Sequence, residues 1–225
     1  MRRIQYHRYG GPDVLRWEEF EPGSPGRGQV LVRVRAAAAN PMDGKIRLGE
    51  LRPMTGRRFP RGVGQDFAGV VEAVGPGVTR LHVDDAVLGS ASIRHPGAFA
   101  ELVLADEDAV AHKPADLTFA QAATLPTVGV TALQVLLRAG RLQPGQAVFV
   151  HGCLGGVGRA AVQLAKRRGA VVAGSCRATS TALAIELGVE SPVDFDVDPT
   201  PLAGRFDVVL DTAGTLPTTT ARTMI

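Results

Sequence analysis

Lysine is almost missing from this sequence of 225 residues: Lys45, Lys113 and Lys166 are the only three among 25 basic residues, and arginine supplies the rest. The formal net charge is only +3, and aromatic residues make up 5% of the chain. The clusters Arg57, Arg58, Arg61 and Arg167, Arg168 therefore lack interleaved aromatics, and no recognition motif accompanies them. They read as solvated surface, so no nucleic-acid partner is expected. Cysteine is scarce too. Cys153 and Cys176 are too few for a disulfide framework or a four-thiolate metal site, and they read as free thiols in a reducing compartment. No apolar run approaches the roughly 18 residues of a membrane span, and the opening "MRRIQYHRYGG" runs into polar residues without an apolar core. No membrane partner and a cytoplasmic location are expected. The five histidines, His7, His82, His95, His112 and His151, have no metal-ligand spacing, so no metal is expected.

What is present divides into two regimes. Up to about residue 117, short alternating strands are cut by Gly and Pro. "QVLVRVRAAA" (29–38) alternates at period two, and "AGVVEAVG" (68–75), "DAVLGS" (85–90) and "AFAELVLAD" (98–106) resemble it. This half is expected to be a barrel-like β unit. From residue 118 the signal turns helical, with Thr118 as an N-cap and Leu133, Leu136 and Leu137 on one face before Gly140. Strand-like and helix-like stretches then alternate: "AVFVHG", "GVGRAAVQLAKRRG", "AVVAGS", "STALAIELG", "PVDF", "FDVVLDTAG". That alternation predicts an α/β, doubly wound parallel sheet over 118–225, and such sheets bind ligands at the carboxyl ends of their strands.

In "VFVHGCLGGVGRAAVQLAKRRGA", Gly152, Gly155 and Gly158 lie between a predicted strand and a predicted helix, with Gly156 and Val157 between the last two. Missing side chains let backbone approach a pyrophosphate, whose charge then meets a helix N-terminus. Tight strand–helix packing is the competing reading, but the flanking elements favour a dinucleotide site. The next strand ends in "GSCRATS", without the carboxylate that would bind a ribose 2′-hydroxyl. Arg177, helped by Ser175 and Ser180, could hold a 2′-phosphate instead, which makes NADPH the expected cofactor. An exposed loop arginine is the alternative for Arg177.

The phrases "AAAANPMDGKIRLGE", "GVGQDFAGVVEAVGPGV", "GAFAELVLAD", "LTFAQAATLPTVGVTAL", "VFVHGCLGGVG" and "DVVLDTAG" together resemble the medium-chain dehydrogenase/reductase superfamily, in its zinc-independent quinone oxidoreductase and zeta-crystallin branch. The resemblance implies a GroES-like domain over 1–117 and a Rossmann-type NADP-binding domain over 118–225. Zinc members carry a cysteine where this chain has Asn40 and a histidine where it has Gln65, neither of which is kept as a zinc ligand here. It further implies hydride transfer to a small-molecule quinone or enone, with Asn40 at the substrate end. Lys45 is similar to the lysine of the "NPVDxKxRxG" phrase in plant enone reductases, where an ammonium would face a developing oxyanion; its other reading is a solvated lysine. Thr127, Thr131 and the Asp211 to Gly214 turn would serve the nicotinamide half. Relatives continue beyond "TLPTTTARTMI", so the nucleotide sheet is expected to lack its C-terminal strands, and a homodimer is among the states the resemblance allows. An enoyl reductase of polyketide type, or a nucleotide-binding protein or fragment without catalysis, are the alternatives.

Overall fold

A computed structural model of the chain describes residues 1–196 and 200–225. It forms two compact units, Met1–Thr127 and Val128–Ile225. No described helix is long and apolar enough to cross a membrane.

The first unit is built on antiparallel β structure. Its elements are β1 (Arg2–Tyr6), β2 (Arg16–Glu19), β3 (Gln29–Ala38), α1 (Pro41–Leu48), α2 (Arg52–Thr55), β4 (Arg61–Gly62), β5 (Asp66–Val74), β6 (Ala86–Ser90), β7 (Leu102–Asp106), β8 (Val110–His112) and α3 (Phe119–Ala123). One sheet has the order β2-β1-β4 and the other β7-β3-β5-β6-β8. In β3, Val30 and Val32 are buried with Phe67, Val71, Val87 and Val103, while Arg33 pairs with Glu72 on β5; Leu31 between the two valines is buried as well, so the strict alternation expected there is not kept at that end. The β3–β5 ladder ends at the pair Ala38 and Asp66, so Asn40, two residues further on, emerges beside the start of β5. Pro41 at the first helical position and Gly49 in the left-handed C-cap (φ 83°) then delimit α1.

The first compact unit runs to Thr127, beyond the residue 117 at which the sequence pattern changes, and so includes α3. Thr118 caps it as the sequence suggested: its hydroxyl accepts the Gln121 amide at 3.2 Å while Gln121 returns a bond to the Thr118 amide at 2.9 Å. Ala122 and Ala123 are then buried against Ala68 and Ala36, which ties this helix to the barrel sheet.

The second unit carries most of α4 (Pro126–Leu133), which continues as a π-helical turn over Gln134–Ala139. That wider winding disperses the leucine face expected there: Leu136 is buried, but Leu133 stays 41% exposed. Next come β9 (Ala147–His151), α5 (Gly156–Arg167), β10 (Val171–Cys176), α6 (Thr181–Leu187), β11 (Ser191–Asp194), β12 (Val208–Asp211) and α7 (Thr218–Met224). All strand pairs are parallel, in the order β11-β10-β9-β12. Residues of α5 at helical spacing, Ala161, Val162 and Ala165, bury against Val148, Val150 and Val172 on one sheet face. Phe149, Ala173 and Met224 fill the other, where Phe149 also meets Phe206 with ring centroids 5.2 Å apart. Covering both faces explains why these strands read as unbroken apolar runs.

Candidate functional site

At the end of β9 the chain turns into α5 through three special glycines. Gly152 adopts φ 75°, a conformation that costs any residue with a Cβ. Gly155 is the extended N-cap of α5. A Cβ at buried Gly158 would lie 2.9 Å from two backbone carbons of Cys153, and closer still to the Gly152 carbonyl oxygen. Gly156, Val157 and Gly158 open the helix, so their N–H groups have no helical carbonyl behind them to donate to. Three such donors at the positive end of a 12-residue helix make an anion cradle suited to a diphosphate. Arg159 joins them, since its Nε donates to the Leu154 carbonyl at 2.9 Å and so holds a guanidinium beside the loop. Sequence reasoning passed over Arg159, although it directly follows the third glycine.

Ser175, expected to assist in holding a 2′-phosphate, is 1% exposed and is bonded to the glycine turn. Its hydroxyl accepts the Gly152 amide at 3.0 Å and lies 2.7 Å from Nδ1 of His151. Its carbonyl takes the Cys153 amide at 3.0 Å. Nε2 of His151 is 2.9 Å from the Thr215 hydroxyl, and the ring stacks on Phe195 at 4.3 Å. Burial holds this imidazole below its ordinary value, against the opposing pull of Asp211. Cys153 and Cys176 are free and buried, and burial, reinforced by its Cys176 neighbour, pushes the Cys153 thiol up to about 11. Such a thiol stays protonated and unreactive.

Arg177 is exposed just past β10, and its carbonyl accepts the amide of half-buried Ser180, forming the bend that leads into α6. Asp211 turns inward on its own loop instead of outward: Oδ1 accepts the amides of Ala213 (3.0 Å) and Gly214 (2.8 Å), and Oδ2 that of Leu216 (3.0 Å). Gly214 sits at φ 73° in this turn. Thr212 fastens the loop to the glycine turn by donating to the carbonyls of His151 (2.7 Å) and Gly152 (3.0 Å). Thr131 lies half-buried on α4.

In the first unit, Asn40, Thr127 and a residue the sequence did not flag come together. Asp66, 1% exposed, accepts from Asn40 Nδ2 at 3.0 Å, from the Thr127 amide at 3.1 Å and from the Thr127 hydroxyl at 2.6 Å. Asp43, on the first turn of α1, accepts the Asn40 amide at 2.8 Å. Burial raises the Asp43 carboxyl above the usual carboxylate range; the Asn40 bond opposes that rise and the nearby Asp66 charge adds to it. Lys45 is exposed in the last turn of α1, where a cation also complements the helix dipole. Among the described residues, no group of three or more His, Cys, Asp or Glu side chains is arranged to hold a metal ion.

Residues 26–115 match the alcohol dehydrogenase GroES-like domain. Over 195 residues the chain is 37% identical to a quinone oxidoreductase of Pseudomonas aeruginosa, an alignment covering 86% of this chain and 58% of that one. It is 32% identical to a chloroplastic quinone-oxidoreductase homolog of Spinacia oleracea, over 98% of this chain and 70% of that protein. The quinone oxidoreductase structure from Coxiella burnetii superposes with a TM-score of 0.86 at 35% identity, over 95% of this chain and 69% of that one. The Escherichia coli quinone oxidoreductase complexed with NADPH superposes at 0.79 and 30% identity, over 90% and 61%. The chain thus spans about three-fifths to seven-tenths of the length of these relatives.

Proposed function

This chain belongs to the quinone oxidoreductase branch of the medium-chain dehydrogenase/reductase superfamily, and from that premise we propose that it works as an NADPH-dependent oxidoreductase reducing a quinone or an α,β-unsaturated carbonyl. The observation carrying this reading is the glycine turn at 152–158, where an added Cβ at Gly158 would strike backbone and where the first amides of α5 stand without helical partners. A nicotinamide coenzyme held there would supply the hydride. Gly156, Val157 and Gly158 receive the diphosphate, and Arg177 receives the 2′-phosphate through charge-assisted hydrogen bonds. The absence of a carboxylate at the end of β10 and the NADPH complex of the Escherichia coli relative both support NADPH over NADH.

The acceptor needs no Lewis acid in this scheme, because quinones and enones are already electron-poor. Asn40 supports that view, since its amide nitrogen is engaged by Asp66 and an amide is a poor zinc ligand. Lys45 neutralises the charge that develops on the acceptor oxygen, and a proton from solvent completes the reduction. We propose that it acts on small molecules in the cytoplasm.

The test is NADPH consumption with 1,4-benzoquinone and with a short 2-alkenal, measured beside calorimetric titration of NADP⁺. Turnover of either acceptor is the expected result. Nucleotide binding without turnover would favour a non-catalytic binding protein, and absence of binding would overturn the reading altogether.

A further inference from the structure

Arg57 and Arg58 are exposed, as a solvated charge cluster should be, but Arg61 on β4 departs from that expectation and is only 5% exposed. Its Nη2 donates to the carbonyls of Thr55 and Gly56, the latter at 3.3 Å, which sets the guanidinium against the end of α2. Nε and Nη1 are buried and have no acceptor among the described residues, although Nε carries one N–H and Nη1 two. Tyr6, the partner of Arg61 in the β1–β4 ladder, does not supply a counter-charge. Burial pushes its phenol up to about 12 against the opposing pull of Arg61, so the hydroxyl stays neutral, and it too is buried without a partner among the described residues. A buried guanidinium with unused donors burdens a fold until an anion completes it.

Arg61 forms part of the wall of a hollow of about 760 Å³ that lies wholly within the first unit, a size that admits a small organic molecule. Arg57, Arg58 and Arg94 share that wall, and like Arg61 they take part in no ion pair among the described residues. The carboxylates of the hollow are Glu21 and Asp106, and Asp106 already accepts from Gln29 Nε2 at 3.0 Å. Positive charge therefore prevails. The strand that carries Arg61 is firmly seated: a Cβ on the next residue, Gly62, would lie 2.6 Å from the Pro96 carbonyl oxygen and 2.8 Å from Gly97 Cα, so β4 packs there backbone to backbone.

We propose that this hollow binds a small organic anion, whose carboxylate or phosphate head is received by Arg61 and whose charge is drawn in by Arg57, Arg58 and Arg94. Both unused nitrogens are covered, so binding draws the Arg61 side chain outward to the wall it helps to form. The proposal stands apart from the coenzyme reading, because all its residues lie in the first unit and no nucleotide enters its test.

That test is titration of the whole chain with benzoate, phenyl phosphate and neutral benzamide, followed by ¹H–¹⁵N NMR. At least one of the two anions should bind about tenfold or more tightly than benzamide, as a charge-assisted hydrogen bond implies, and should move the Arg61 Nε–H resonance. The tighter of the two anions identifies the head group. Arg61→Gln, which keeps a donor but loses the charge, should bring the preference for the anion to within about threefold. If that variant melts below assay temperature, the Arg61 resonance of the parent decides. Failure of both anions to bind, affinity no greater than that for benzamide, an Arg61 resonance that stays in place, or an undiminished preference in folded Arg61→Gln would overturn the proposal.

Discussion

The amide of Gly152 donates to the hydroxyl of Ser175 across 3.0 Å, joining the glycine turn to the neighbouring strand. Replacing Ser175 by Ala leaves a half-buried N–H and a buried histidine nitrogen without their partner, at a cost of about 2 kcal/mol. Urea unfolding should register that loss. Because the residue is 1% exposed, the ratio of NADPH to NADH affinity should stay the same.

Gly158→Ala forces a methyl group against the Cys153 backbone and the Gly152 carbonyl. Backbone cannot retreat as a flexible side chain can, so about 1 to 3 kcal/mol of stability should disappear. NADP⁺ affinity should drop by more than the Ser175→Ala variant shows, as titration calorimetry would reveal.

Arg177 is the exposed cation at the end of β10. Arg177→Ala should weaken NADPH about tenfold and leave NADH nearly untouched, in line with the loss of a charged hydrogen bond. Parallel dissociation constants for the two nucleotides decide it.

Lys45 stands free of the Asp66 cluster, on the exposed side of α1. For Lys45→Ala, turnover of an enone should fall about a hundredfold while NADPH affinity holds, the pattern of a group acting mainly on the transition state. A matching loss in binding and turnover would assign it to coenzyme binding instead.

His151 predicts a pH response. Burial lowers its folded value, so the native imidazole is neutral while the unfolded one takes up a proton near pH 6.5. Stability from this group is full above that pH and declines as pH falls toward the lower folded value, where the dependence levels off. Denaturation curves between pH 8 and pH 5 should slope less in His151→Gln than in the parent.

The sequence made the glycine turn, the Thr118 cap and strand β3 legible because each is encoded by neighbours within a few residues. Asp66 was invisible for the opposite reason: its partners are far away in the chain, and one carboxylate among 22 acidic residues carries no local mark. The burial of Ser175 was not legible in the sequence, because a parallel sheet covered on both faces buries positions on either side of the strand alike. Near residue 117 a change from strand-like to helix-like pattern marks an element, and only the packing of Ala122 and Ala123 says which core owns it.

The order β11-β10-β9-β12 has a consequence for how such a protein can diversify. From β9 the chain winds outward to β10 and β11, then doubles back to place β12 on the other flank. The connections on the two sides of β9 therefore depart in opposite directions, and at such a switch point doubly wound sheets receive ligands at the carboxyl ends of their strands. Residues on the loops at that end can be exchanged without disturbing the strand order, so new chemistries can be tried on a foundation that never has to be rebuilt.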